Sequence, residues 1–136
     1  MATYPGKNTP DQRTFAAITI STAASGLSDV VDCGGLSPVA IELSSAAGWT
    51  AASLGFLVSA RSSDTLKELW DGTTGTAPIT ATITSTGGRF TALGPAFRGV
   101  RFLQVASINT ASTAAVAQAA ARSAWVVLGV PGGPIK

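Results

Sequence analysis

The sequence predicts an all-β chain that folds as a single, jelly-roll-like β-sandwich, and three observations support this prediction. Apolar residues recur at every second position along several short segments, which is the period of a strand with one buried face. Glycine-containing turn signals separate these segments at short intervals. The chain has 136 residues, which suits one domain. About seven to nine short strands at this spacing are typical of a β-sandwich or a small barrel.

Four segments show the alternation most clearly, at residues 15–21, 37–44, 53–60 and 78–85. In the last of them, "PITATITS", aliphatic residues alternate with threonines. In "SPVAIELS", we expect Ala40 and Glu42 to face outward. The residues predicted to face the core are Ala16, Ile18, Ile20, Val39, Ile41, Leu43, Leu54, Phe56, Val58, Ile79, Ala81 and Ile83.

Three further strands are predicted at residues 89–93, 100–107 and 122–130. In the last two, apolar residues fall on both faces, as expected for strands near the centre of a sheet or under an interface. Trp125 lies in an apolar run within the final strand. We therefore expect its ring to lie in the core.

Three segments lack the alternation. Residues 109–124 are rich in Ala, but Ser, Thr and Val interrupt them and no apolar stripe is present, so we expect a loop, with a short helix as the alternative.

The two chain ends contain prolines and no strand pattern, which predicts extended arms around a sandwich domain of residues 14–130. The N-terminal arm is residues 1–13 and the C-terminal tail is residues 131–136. Disordered tails are the alternative.

The surface chemistry is unusual in its low charge. Charged residues make up 12% of the chain, about half the usual share. Such a surface is expected where much of it lies against a partner, and a solvated Ser/Thr-rich surface is the alternative.

The net charge of +2 is too small to indicate nucleic-acid binding. No apolar run approaches the roughly 20 residues of a membrane helix and the N-terminus is no signal peptide, so we expect synthesis in the cytoplasm and no membrane partner.

The chain lacks the residues that most enzymes and metal sites use. It has no His, the commonest general base and metal ligand. Cys33 is its one cysteine, which excludes an intramolecular disulfide and a thiolate cluster. The carboxylate pairs Asp29–Asp32 and Glu68–Asp71 are local, and we interpret them as solvated residues at strand ends or turns. We therefore expect no enzyme activity, no cofactor and no metal site.

Trp49 and Trp70 lie near the two ends of the stretch "GWTAASLGFLVSARSSDTLKELWDG". We interpret both rings as caps on the ends of the core, with their polar edges facing outward. The alternative is an exposed ring that stacks on sugars, as in a carbohydrate-binding module. Between them, Arg61 and Lys67 belong to a charged turn that we expect to stay solvated and to offer polar partners to a neighbouring subunit.

The segments "AGWTAASLGFLVSARSSDTLKELWD", "RFTALGPAFRGVRFLQVAS" and "VAQAAARSAWVVLGV" together resemble a family of small tailed-phage virion proteins of the head decoration (cement) type. The family pattern is a Trp-Thr-Ala-Ala turn, a Leu-x-Phe-x-Val-Ser strand, a charged hairpin that ends in Leu-aromatic-Asp, and two later apolar strands. The resemblance covers residues 16–130. The family hairpin often carries a Ser-x-Asp-Gly turn, where this chain has "SARSSDT".

The resemblance implies a β-sandwich virion component on the capsid surface that stabilises the head by binding the major capsid protein. It also implies a trimer at threefold positions of the capsid lattice. The residues themselves predict self-association, through the two-faced strands around Phe102 and Trp125. A neck, tail or fibre component is the alternative.

We expect the N-terminal arm to lie along an adjacent subunit, because ordering each of its residues costs roughly 1–2 kcal/mol of backbone entropy that only a neighbour can offset. Tyr4 is its expected apolar anchor. Lys7 and Arg13 are expected to meet acidic groups on that subunit. Pro5 and Pro10 lower the entropic cost by stiffening the arm.

Overall fold

The computed structural model describes residues 14–23, 25–45, 48–50, 52–62, 64–70, 72, 78–83, 88–109 and 113–130. Across these residues, nine strands form two antiparallel sheets that enclose one apolar core, so the predicted all-β sandwich is confirmed. The predicted N-terminal arm and C-terminal tail lie outside the described residues.

The first sheet has four strands. They lie in the order β1 (Thr14–Ile20), β9 (Arg122–Gly129), β3 (Ser37–Leu43) and β7 (Phe90–Ala92). The second sheet has five strands. They are β2 (Leu27–Asp32), β8 (Phe102–Ile108) and β4 (Ala52–Ser59) in that order, with β5 (Lys67–Glu68) and β6 (Thr80–Ile83) both paired with β4.

The strand pairing is nested. The first strand pairs with the last, the second with the eighth, the third with the seventh, and the fourth with the fifth and sixth. Most consecutive strands change sheet, so the chain behaves as one long antiparallel ribbon that is rolled over itself. This winding is that of a jelly roll.

The core lies between the sheets, and the alternation along the sequence determines which residues enter it. Ile18 and Ile20 on β1 are buried, as are Leu54 and Phe56 on β4. Phe97, in a single-turn 3-10 helix (Pro95–Phe97), closes one part of this core with its ring 4.9 Å from that of Phe56, edge to face. Burial of one such side chain contributes about 1.5–3 kcal/mol to stability.

Strand β2 was not predicted from the sequence, and a bulge explains why. The pairing between β2 and β8 shifts between Leu27 and Val30, so the strand loses its period of two. Ser28 and Val31 are both buried although they are three positions apart. The Ser28 hydroxyl accepts a hydrogen bond from the Val105 backbone N–H at 3.0 Å, which satisfies a polar group inside the sandwich.

The prediction that Trp125 lies in the core is wrong. Its neighbours Ala124 and Val126 are fully buried, and alternation then places Trp125 on the opposite side of β9. The ring is half-buried on the outer surface of the four-stranded sheet. The apolar run in this segment correctly predicted strand β9, but it did not show which side of the sheet each side chain would face.

The Ala-rich segment before β9 is a loop, as predicted, in the described residues 113–121. Gln118 anchors it: its side-chain oxygen accepts a hydrogen bond from the Thr50 N–H at 2.7 Å, and its nitrogen donates to the Thr50 carbonyl and to the Ser107 hydroxyl, each at 3.0 Å. The Val116 N–H donates to the Ser107 carbonyl at 2.8 Å. These contacts hold the loop against β8 and the Thr50 backbone without helical hydrogen bonds.

We expect Gln118→Ala to lower the free energy of unfolding by about 1–3 kcal/mol, because it leaves buried polar groups without partners. Gln104→Ala is the matched control, since the half-buried Gln104 amide donates a single hydrogen bond, to the Ser28 carbonyl at 2.8 Å. Urea denaturation followed by tryptophan fluorescence measures both. If Gln118→Ala lowers the free energy of unfolding by no more than Gln104→Ala does, the anchoring role of Gln118 is contradicted.

Candidate interaction surface

The charged stretch after β4 forms a closed turn. The Arg61 guanidinium pairs with the Asp64 carboxylate at 3.0 Å, and the Asp64 N–H donates to the Arg61 carbonyl at 3.3 Å. The Ser59 hydroxyl donates to the same carbonyl at 2.6 Å. The Lys67 ammonium donates to the Thr65 carbonyl at 3.0 Å. Arg61 and Lys67 are thus exposed but engaged within their own turn, and an exposed pair of this kind contributes little to stability.

Trp49 cannot serve as an interaction residue, because its ring is only 2% exposed. Its indole N–H donates to the Ser44 carbonyl at 3.1 Å. The Arg122 guanidinium lies 5.9 Å from the ring centre and donates to the Gly48 carbonyl. The ring therefore caps the core, as interpreted from the sequence, although its polar edge bonds to backbone.

Trp70 differs from Trp49, since 46% of its surface is exposed. The interpretation of Trp70 as a cap on the core is therefore wrong. It follows the short strand β5 and forms an isolated bridge with Pro78. The neighbouring Leu69 packs against the core in its place.

The remaining predicted interaction residues, Tyr4, Lys7 and Arg13, lie outside the described residues. Of the predicted residues that the structure describes, Arg61 and Lys67 lie in one turn, Trp49 is buried, and Trp70 is exposed next to β5.

A larger surface, which sequence reasoning identified only as two-faced strands, lies on the outer side of the four-stranded sheet. We call it the outer apolar face. Two aromatic rings at its two edges are strongly exposed, Phe15 on β1 by 68% and Phe90 on β7 by 62%. Half-buried Trp125 and Val127 on β9 lie between them. The six residues that define the face are Phe15, Ala17, Glu42, Phe90, Trp125 and Val127.

Strand register arranges these side chains in rows across the sheet. In one row, Ala17 is opposite Trp125, Trp125 is opposite Glu42, and Glu42 is opposite Phe90. In the adjacent row, Phe15 is opposite Val127. Because directly opposed residues lie about 4.5–5.5 Å apart, the rows form a continuous apolar surface interrupted by one carboxylate.

The centre of the outer apolar face holds a shallow hollow of about 270 Å³, lined among the described residues by Phe15, Glu42, Trp125 and Val127. Glu42 is exposed at its rim. No described residue forms an ion pair or side-chain hydrogen bond with this carboxylate. The hollow thus combines apolar walls with one carboxylate that has no ion-pair partner among the residues the structure describes.

The outer side of the five-stranded sheet is different. It carries a groove of about 160 Å³ above Gly55, where Ile108 occupies the space that a side chain at Gly55 would need. A Cβ at that position would lie 2.9 Å from the Ile108 Cδ1 atom. Val30 is an exposed apolar side chain on this side, at 51%.

The carboxylates of β2 have structural partners. Asp32 accepts hydrogen bonds from the Arg101 side chain at 2.6 Å and from the Gly34 N–H at 2.9 Å, and these contacts hold the pKa of its carboxyl below the usual value. Asp29 accepts a hydrogen bond from the Thr19 N–H at 3.2 Å, which links β2 to β1. Both residues therefore connect the ends of strands.

Within the described part of the chain, no group of three or more His, Cys, Asp or Glu residues is placed to hold a metal ion. The described residues also form no helix with the length and apolar character that crossing a bilayer requires. Comparison with protein-family models, with curated proteins and with solved structures gave no match to this chain.

We expect the Cys33 thiol to resist alkylation in the folded protein. It is buried, and burial together with the nearby Asp32 charge raises its pKa to about 11. Since the thiolate is the reactive form, a pKa raised by about two units lowers the reaction rate about 100-fold at pH 8. Mass spectrometry after iodoacetamide treatment measures this rate, with protein unfolded in guanidinium as the control. Equal rates in both states would contradict the burial of Cys33.

Proposed function

We propose that this chain is a virion structural protein that decorates a phage capsid and stabilises the head by binding the major capsid protein. The observation that carries this proposal is the outer apolar face. A surface with two largely exposed phenylalanines and a half-buried tryptophan is costly to leave in water and is characteristic of an interaction site. A protein that works by adhesion needs such a surface and needs no catalytic group.

The energetics of such a face suit assembly. Burial of a phenylalanine contributes about 1.5–3 kcal/mol, and a standard interface buries on the order of 1,600 Å² in total. The face is presented by paired strands and not by a loop that must first be ordered, so less entropy is lost on binding. Jelly rolls occur in viral capsid proteins and also in lectins and enzymes; the fold is therefore compatible with the proposal but does not carry it.

The proposed location is the capsid surface, reached from the host cytoplasm, and the proposed state there is a homo-oligomer, a trimer at threefold positions. Several copies that each bury one face give strong attachment from individually modest contacts. This arrangement also accounts for the low charge of the surface, because subunits in lasting contact need few solvated charges.

The test uses particles assembled from the major capsid protein encoded in the same genome. We expect wild-type protein to attach in many copies per particle, and Phe90→Ser to weaken attachment about 10- to 100-fold, because it removes one buried ring. Val30→Ser, the same kind of change on the other sheet, is the matched control and is expected to attach normally. Quantitative mass spectrometry of sedimented particles gives the copy number.

Three results would contradict this proposal. They are a genome that encodes no capsid protein, particles that carry only a few copies of the chain, and a Phe90→Ser variant that attaches as well as wild type. A few copies per particle would instead indicate a neck, tail or fibre component. Loss of attachment in Val30→Ser alone would show that the five-stranded sheet faces the capsid.

Trp70 supports a second candidate function, that of a carbohydrate-binding module. Its exposed ring could stack on a sugar, and the exposed Glu68 carboxylate lies two positions earlier on the same side of the strand. If this candidate is correct, wild-type protein binds glycans on an array and Trp70→Ala abolishes that binding while leaving the melting temperature unchanged. An array without any binding by the wild type would eliminate it.

A further inference from the structure

We propose that the hollow of the outer apolar face receives a lysine side chain, and that Lys7 in the N-terminal segment (residues 1–13) of a neighbouring copy supplies it. This inference rests on the proposed function, because it requires copies of the chain to be held side by side. The inference identifies the side chain that occupies the hollow, and the proposed function does not specify that side chain.

The chemistry of the hollow selects a basic group with an apolar stem. The Glu42 carboxylate supplies a negative charge without an ion-pair partner among the described residues, and the rings of Phe15 and Trp125 line the same space. A cation near a ring face is attracted by the electrons of the ring, and more strongly when water is excluded. The methylene groups of a lysine can pack on Val127 while the ammonium group reaches the carboxylate.

The N-terminal segment has the complementary charge. Residues 1–13 contain Lys7 and Arg13 against a single acidic residue, Asp11. Tyr4 adds an aromatic ring that can extend the contact along the same face. Arg13 directly precedes Thr14, the first residue of β1, in the sequence, whereas Lys7 lies farther from that strand along the chain and so has the longer reach.

Length and position place this segment next to the hollow of a second copy. Strand β1 lies at the edge of the four-stranded sheet, and the segment leaves the domain from its first residue, Thr14. The seven residues from Lys7 to Thr14 span up to about 23–25 Å when extended. Four strands are about 14 Å across. When the β1 edge of one copy lies beside the four-stranded sheet of the next, Lys7 of the first copy can therefore reach Glu42 of the second.

Sedimentation equilibrium of the free full-length protein tests the inference by charge exchange. We expect wild-type protein to self-associate, and Glu42→Lys and Lys7→Glu each to weaken association at least 10-fold because like charges then meet. An equimolar mixture of these two variants is expected to associate more tightly than either alone, because it contains oppositely charged pairs again. Glu68→Lys, an exposed glutamate changed on the other sheet, is the matched control and is expected to associate as wild type does.

The outcomes separate this inference from the proposed function. A monomeric wild-type protein, or equal association by Glu42→Lys and wild type, overturns the inference. Rescue in the double variant Lys7→Glu/Glu42→Lys but not in the mixture also overturns it, since the segment then binds its own chain. The proposed function stands without the inference if one of these results is obtained while wild-type protein attaches to capsids normally and Phe90→Ser weakens that attachment. Equal melting temperatures of all variants exclude misfolding as the cause.

Discussion

Pairing between the first and last strands is the constraint on which the rest of this structure depends. The seven residues of β1 pair in continuous register with β9, from Thr14 opposite Leu128 to Ile20 opposite Arg122. Strand β9 pairs on its other side with β3. Residues about a hundred positions apart must therefore meet before the four-stranded sheet exists. Pairings of such long range are formed slowly, and they make the fold sensitive to changes at either end of the domain.

This pairing also creates the outer apolar face. Because β9 lies inside the sheet, its outward side chains Trp125 and Val127 lie between the side chains of β1 and β3 rather than at an edge. A two-layered sandwich can bury only one face of each sheet, and Ala124, Val126 and Leu128 already occupy the inward positions of β9. The apolar residues on the other side of the strand have no place in the core. Assembly is the physical explanation we propose for their presence.

The sequence contains enough information to predict the sandwich, since Ile18, Ile41 and Ile83 take the inward positions that alternation assigns to them. The direction of each side chain is harder to predict from the sequence where a bulge, or apolar residues on both faces of a strand, interrupts the alternation. The bulge in β2 removes the period of two, and Trp125 has apolar neighbours on both sides, so neither could be assigned to a face from periodicity alone.

The candidate site was harder to predict than the fold. Outward residues on four strands far apart in the sequence form the outer apolar face, and only the register brings Glu42 opposite both Trp125 and Phe90. The sequence signals were the exceptions to alternation, in particular Phe15 and Phe90 at outward positions of short strands. The local charge cluster at Arg61 and Lys67 is the more conspicuous feature of the sequence, but in the structure it closes a turn.

Hydroxyl-radical footprinting tests most directly whether the outer apolar face is buried on assembly. The measurement compares side-chain oxidation, residue by residue by mass spectrometry, in protein bound to capsids and in free protein diluted until it is monomeric. The account predicts that oxidation of Phe15, Trp125 and Phe90 falls on binding, while oxidation of Trp70 on the other sheet does not change. Unchanged oxidation of the three face residues, with protection at Trp70 instead, would contradict it.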